Sequence, residues 1–123
     1  MLRIVLRALV VGSLLGLGLL SFWLFGMRGG EEMEGVAKAA ILSLTNRCNA
    51  YYLHHGDWPP SLDALAQPQP NGDQPFVSAA ELLDPWNHPY GYDPAGPHNN
   101  EMQPDIWAQT PQGKVVGNWP GGH

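Results

Sequence analysis

"LLDPWNHPYGYDP", residues 82–94, is where the pattern of this chain changes. Before it, apolar residues recur at helical spacing. After it, they fall in short strand-like runs between turn residues. The stretch itself holds three prolines, three aromatics, two aspartates, a histidine and a glycine. That mixture suits a metal site, a catalytic loop or a tight structural turn. Leu82 and Leu83 close a capped helix, and Asp84-Pro85 turns the chain. Trp86 is placed to plug a core, and Pro89 starts a strand at Tyr90. The stretch therefore reads as a junction between a helical half and a sheet half.

Upstream, Met33, Val36, Ala37, Ala40, Ile41, Leu44, Cys48, Tyr51 and Tyr52 recur at spacings of three and four. The pattern predicts an amphipathic helix from Glu31 to Leu53, with Glu31, Glu32 and Glu34 favouring its dipole. Gly56 supplies a left-handed cap, and Pro59 and Pro60 prevent continuation. "SLDALAQ" (61–67) and "SAAELL" (78–83) follow as short helices, the second with a capping box from Ser78 and Glu81. "PQPNGDQP" (68–75) is a loop on composition.

Downstream, "PYGYD" (89–93), "DIWAQT" (105–110) and "KVVGNW" (114–119) are the strands, the last two joined by a tight turn at Gly113. Helices followed by a small antiparallel sheet make an α+β layout. The sheet must cover the stripe of the long helix. Ile41, Leu44, Cys48 and Tyr52 are the expected core on the helix side, and Trp86, Tyr90, Trp107 and Trp119 on the sheet side.

The N-terminus is different. Residues 8–26 carry no charge and only Ser13 and Ser21 as polar side chains, just enough to cross a bilayer core of ~30 Å. No A-x-A-like site follows, so residues 1–28 are expected to be a retained single-pass anchor. Arg3 and Arg7 precede the run, which places the N-terminus in the cytoplasm and residues 29–123 outside it. Gly12-x-x-x-Gly16 is a weak helix-contact pattern. Beyond residue 28, Lys38, Arg47 and Lys114 face all eleven acids, a net of −8. That balance argues against nucleic acid, whose phosphates call for basic patches.

Chemistry is sparse. Cys48 is alone and sits on the apolar stripe, as a small core residue does. His54 and His55 are adjacent and diverge on a helix, and no H-x-x-x-H spacing exists. A zinc site would have to be assembled from one of them with His88, His98 and an aspartate. Ser43 is mid-helix, Ser61 and Ser78 look like caps, and the spacing of Asp84, Asp93 and Asp105 favours no acid–base pair. Trp23 suits the interfacial belt of the span, and Trp58, Trp86, Trp107 and Trp119 are either a sugar platform or core; packing is the simpler expectation. No enzymatic activity is expected.

The order of these pieces resembles the major pseudopilin of type II secretion systems, the G-type family, over residues 31–119. Asp84-Pro85-Trp86, Pro89-Tyr90, Asp105-Ile106 and Gly117-Asn118-Trp119 match its turn, strand and closing motifs in the right order. The resemblance implies a pilin-like fold: a long N-terminal helix, half in the membrane, packed on a three-stranded antiparallel sheet. It also implies assembly through that helix with other pseudopilins or inner-membrane secretion components, possible homo-oligomers, and a place in the inner membrane with the C-terminal domain in the periplasm. Two features depart from the family. Residues 8–26 lack the prepilin "FTLxE" motif and its glutamate, so processing by a prepilin peptidase is not expected and the usual filament register is set aside. The calcium site of the family lies before the last strand, where "AQTPQGKVVGNW" offers Gln112, Lys114 and Val115 in place of acids. No cofactor and no calcium are therefore expected there. The missing motif also supports a second reading, a stand-alone membrane-anchored extracytoplasmic binding module that kept the fold.

Overall fold

The computed structural model describes residues 30–122. The expected anchor at residues 1–28, its glycine pattern and His123 lie outside the described residues. Among those described, no helix is long and apolar enough to cross a membrane.

Residues 30–55 form the helix α1. It stops where Gly56, at φ +77°, donates its N–H to the Tyr52 carbonyl at 2.7 Å. Only glycine takes that conformation without a Cβ penalty. Ala37, Ile41, Leu44 and Cys48 are buried on one face. Opposite them, Ala39, Leu42, Asn46 and Leu53 are exposed.

The two segments expected as short helices are 3₁₀ turns, Leu62–Ala66 and Ala79–Leu82. Ala64 N–H bonds the Ser61 carbonyl and Leu83 N–H bonds the Ala80 carbonyl, both three residues back. Neither piece is long enough between its flanking breaks to settle into i→i−4 bonding. The Ser78–Glu81 capping box is present, and Glu81 accepts the Ser78 N–H at 2.6 Å. That bond holds the Glu81 carboxyl below its ordinary range. A third turn, Pro97–Asn99, was not expected from the sequence.

Three antiparallel strands follow in spatial order β1 (Gly91–Asp93), β2 (Asp105–Gln109) and β3 (Val115–Gly117). Each is shorter than its apolar run, for local reasons. Pro89 reaches only an isolated bridge with Leu83. Thr110 and Lys114 are taken by the hairpin turn, where Lys114 O accepts from Thr110 N at 2.8 Å and Gly113 stands at φ +87°. Beyond Gly117, the chain folds back through the Gly117 N–H bond to Gly122 O at 3.2 Å.

One layer of helix thus lies on one sheet. Their shared core joins the α1 residues to Leu62, Leu65, Val77, Tyr90, Ile106, Ala108 and Val116. Three expected core residues lie elsewhere. Trp107 sits between the inward-facing Ile106 and Ala108, so the two-residue period of a strand turns it to the other face. Trp119 follows β3 and joins Trp107 outside the core, with ring centroids 6.2 Å apart. Tyr52 is 42% exposed and packs on Trp58. The helical period gives the core position to Tyr51, three residues after Cys48. Trp86 is half-buried against the core, and Tyr90 is buried in it.

Candidate functional site

The Asp84 turn is built by its own carboxylate. Asp84 Oδ1 accepts from the backbone N–H groups of Trp86 and His88, both at 2.9 Å. The Asp84 N–H donates to His88 O at 2.8 Å, and Asn87 N–H returns to Asp84 O at 3.0 Å. Pro85 supplies the fixed φ that such a turn needs at its second position. Asn87 takes φ +63°, which asparagine tolerates. The loop leaves Asp84 only 4% exposed and His88 in solvent. Burial, and next the Asp84 charge, raise the Tyr90 phenol above its ordinary value.

A second polar centre ties the sheet to α1. Asp105 is 1% exposed, and three donors surround its carboxylate. They are His98 N–H at 3.0 Å, the His98 Nδ1 ring nitrogen at 2.6 Å and Asn99 Nδ2 at 2.9 Å. A buried charge needs that many partners. Asn118 stands beside it. Its Nδ2 donates to Thr45 Oγ1 and to Pro104 O, both at 2.9 Å. Its Oδ1 accepts from Ile106 N–H at 3.1 Å and Asn99 Nδ2 at 3.0 Å. Thr45 in turn donates to Ile41 O within α1 at 2.8 Å. Among the described residues, no buried side-chain nitrogen or oxygen lacks a partner.

On the outer sheet face the two indoles lie over glycines. Trp107 pairs with Gly91 on one side and Gly117 on the other. A Cβ at Gly91 would come within 2.0 Å of the Trp107 ring, and one at Gly117 within 2.5 Å of the Trp119 ring. His98 stacks on Trp119 at a centroid distance of 4.3 Å. The glycines are there to seat the rings, as cross-strand glycine–aromatic pairs do.

The arrangement therefore collects Asp105, Gly117, Asn118 and Trp119 into one centre, and Asp84, Pro85, Trp86, Pro89 and Tyr90 into another. Asn99 and Thr45 are not singled out by the sequence, and His98 only as a candidate zinc ligand. Thr45 left one signal, a hydroxyl on the apolar face of a helix. The bonds of His98 and Asn99 to Asp105 left none, because Asp105 is brought to them by the turn of the chain at Gly96. At φ +63°, a Cβ on Gly96 would lie 1.9 Å from Gln103 O.

The scattered metal candidates do not converge. His55 Nε2 meets Gln69 Oε1 at 2.8 Å, His54 packs beside Phe76, and His98 is held by Asp105. Among the described residues no three His, Cys, Asp or Glu side chains come together as a metal site. Asp93 and Asp105 are cross-strand partners, but Asp93 Oδ1 accepts from Ala95 N–H while Asp105 faces His98. Cys48 is buried, and burial pushes its thiol up to about 12, away from reactive thiolate.

The calcium implied by the resemblance does not fit either. The 110–114 turn closes on itself, with Thr110 Oγ1 accepting from Lys114 N–H at 3.1 Å. The carbonyls of Gly117 and Gly122 point at the Lys38 ammonium. Calcium wants six to eight oxygens, several of them carboxylate; this donor set is carbonyl and ammonium.

The model of one protein family, described as type II secretion system (T2SS), protein G, matches residues 26–119. No curated protein and no solved structure matches the chain.

Proposed function

This chain belongs to the type II secretion system protein G family, and on that premise we propose that it is a structural subunit that assembles through its N-terminal helix to support protein export. The pseudopilin family is structural, not catalytic, and a pseudopilin-like role in type II secretion follows from membership. The finer reading is supported by α1. Its sheet-facing side is buried, while Leu42 and Leu53, about three turns apart on the free side, are 48% and 84% exposed. An apolar residue repeated on the free side of a long helix is what a helix–helix contact uses. The partners proposed are other pseudopilins or inner-membrane secretion components, with possible homo-oligomers. The location proposed is the inner membrane, as a single-pass protein with residues 29–123 in the periplasm.

The single observation that carries this reading is the family match over residues 26–119. Cross-linking tests it. A Leu42→Cys variant of the full chain, treated in membranes with a short bis-maleimide, is expected to give adducts with itself or with other pseudopilins. Recovery of monomer alone would instead favour the stand-alone binding module, for which the lack of a prepilin motif in residues 8–26 speaks.

A further inference from the structure

One edge of α1 carries three residues spaced by four and seven: Glu34, Lys38 and Thr45. Each bonds the C-terminal arm of the chain. Glu34 Oε2 pairs with Lys114 Nζ at 2.9 Å, and Thr45 Oγ1 accepts from Asn118. Between them Lys38 Nζ donates to Gly117 O and, at 2.9 Å, to Gly122 O. Gly122 O is also the acceptor for Gly117 N–H, and Gly122 N–H bonds Trp119 O at 2.9 Å. Residues 117–122 are therefore wound into a small loop whose two carbonyls converge on one point.

Converging carbonyl oxygens repel unless a donor or a cation lies between them. We propose that the Lys38 ammonium is the structural cation of this domain, fastening the 117–122 loop to α1 and making the fold independent of calcium. A divalent ion at the same point would lie against a fixed positive charge with two neutral oxygens. The nearby carboxylate, Glu34, is already paired with Lys114. An ammonium suits the seat better, because it has three donors and needs few ligands. It is also supplied by the chain itself. A fold that borrows an ion gains stability only as the ion concentration exceeds its dissociation constant. A tethered lysine has no such dependence.

The test uses the full chain, solubilised, in two arms. Thermal unfolding of the natural protein in ~5 mM calcium and in ~5 mM EDTA is expected to give the same Tm. Hydrogen exchange in Lys38→Gln is expected to quicken more than about tenfold at the Gly117 and Gly122 amides, leaving Ile106 unchanged. Lys38→Arg, which keeps a charged donor, restores much of the protection. A Tm raised by several degrees in calcium overturns the proposal, as does unchanged exchange at 117–122 in Lys38→Gln. Should Lys38→Gln not fold, the calcium arm and the arginine variant still decide the matter.

Discussion

Asn118 shows how much one side chain holds. Its amide closes four hydrogen bonds, to α1 through Thr45, to β2 through Ile106, and to Asn99 and Pro104. Asn118→Ala removes all four and leaves the Ile106 N–H buried without that acceptor. The expected loss is ~2–4 kcal/mol, read from urea unfolding, with no change of fold. Thr45→Val, which cuts one strand of the network, should cost about half as much. Cys48 makes a different case. Its thiol is raised from 9.0 to about 12 by burial, so the folded chain holds its proton where the unfolded chain has released it. Stability is then unaffected below pH 9 and falls as pH rises from there toward 12, by up to ~1.4 kcal/mol per pH unit. Tyr92 is raised in the same direction, mainly by burial, while its hydroxyl donates to Pro59 O at 2.6 Å. Cys48→Ala should flatten the alkaline limb but not abolish it. An unchanged slope in that variant would contradict the assignment.

At the scale of elements, the Asp84 turn and the sheet face carry the predictions. Trp86 is half-buried, so Trp86→Ala should cost about 2 kcal/mol, less than a fully enclosed indole would. The midpoint of thermal or urea unfolding reads this directly. Gly91→Ala has another outcome. The added methyl meets the Trp107 ring at 2.0 Å, so the indole must leave its seat. A loss of ~1–3 kcal/mol is expected, with a red shift of tryptophan emission as Trp107 moves into water. Alanine at this position with unchanged emission would mean that the ring is seated elsewhere. The Lys114–Glu34 pair, 47% and 29% exposed, adds little by comparison.

For the whole molecule, stability and assembly are separable. Among the described residues, those from Glu34 onward form one compact unit whose core lies between α1 and the sheet. Leu42 is on the far side of that helix and 48% exposed. Leu42→Glu should therefore change domain stability by no more than about 0.5 kcal/mol. If α1 is the assembly surface, the same variant should abolish secretion in a strain lacking the natural copy. Secretion at normal levels would place the assembly contact elsewhere.

The sequence by itself determined the α+β order, the long helix, the Gly56 and Gly113 positions and the Asp84 junction. All of these are local: period, cap and turn chemistry act within a few residues. It also determined the family, through Asp84-Pro85-Trp86 and Gly117-Asn118-Trp119 in their order. It did not determine where the tryptophans sit. A run such as "DIWAQT" alternates, but which half of the alternation faces α1 depends on the register of the neighbouring strands. Pairing Trp107 with Gly91 and Gly117 settled that. The bonds of Lys38 to residues 79 and 84 places away, and of Thr45 to Asn118, were likewise decided only by the tertiary fold. No local pattern can announce them, because each donor meets its acceptor only after the sheet has closed over the helix.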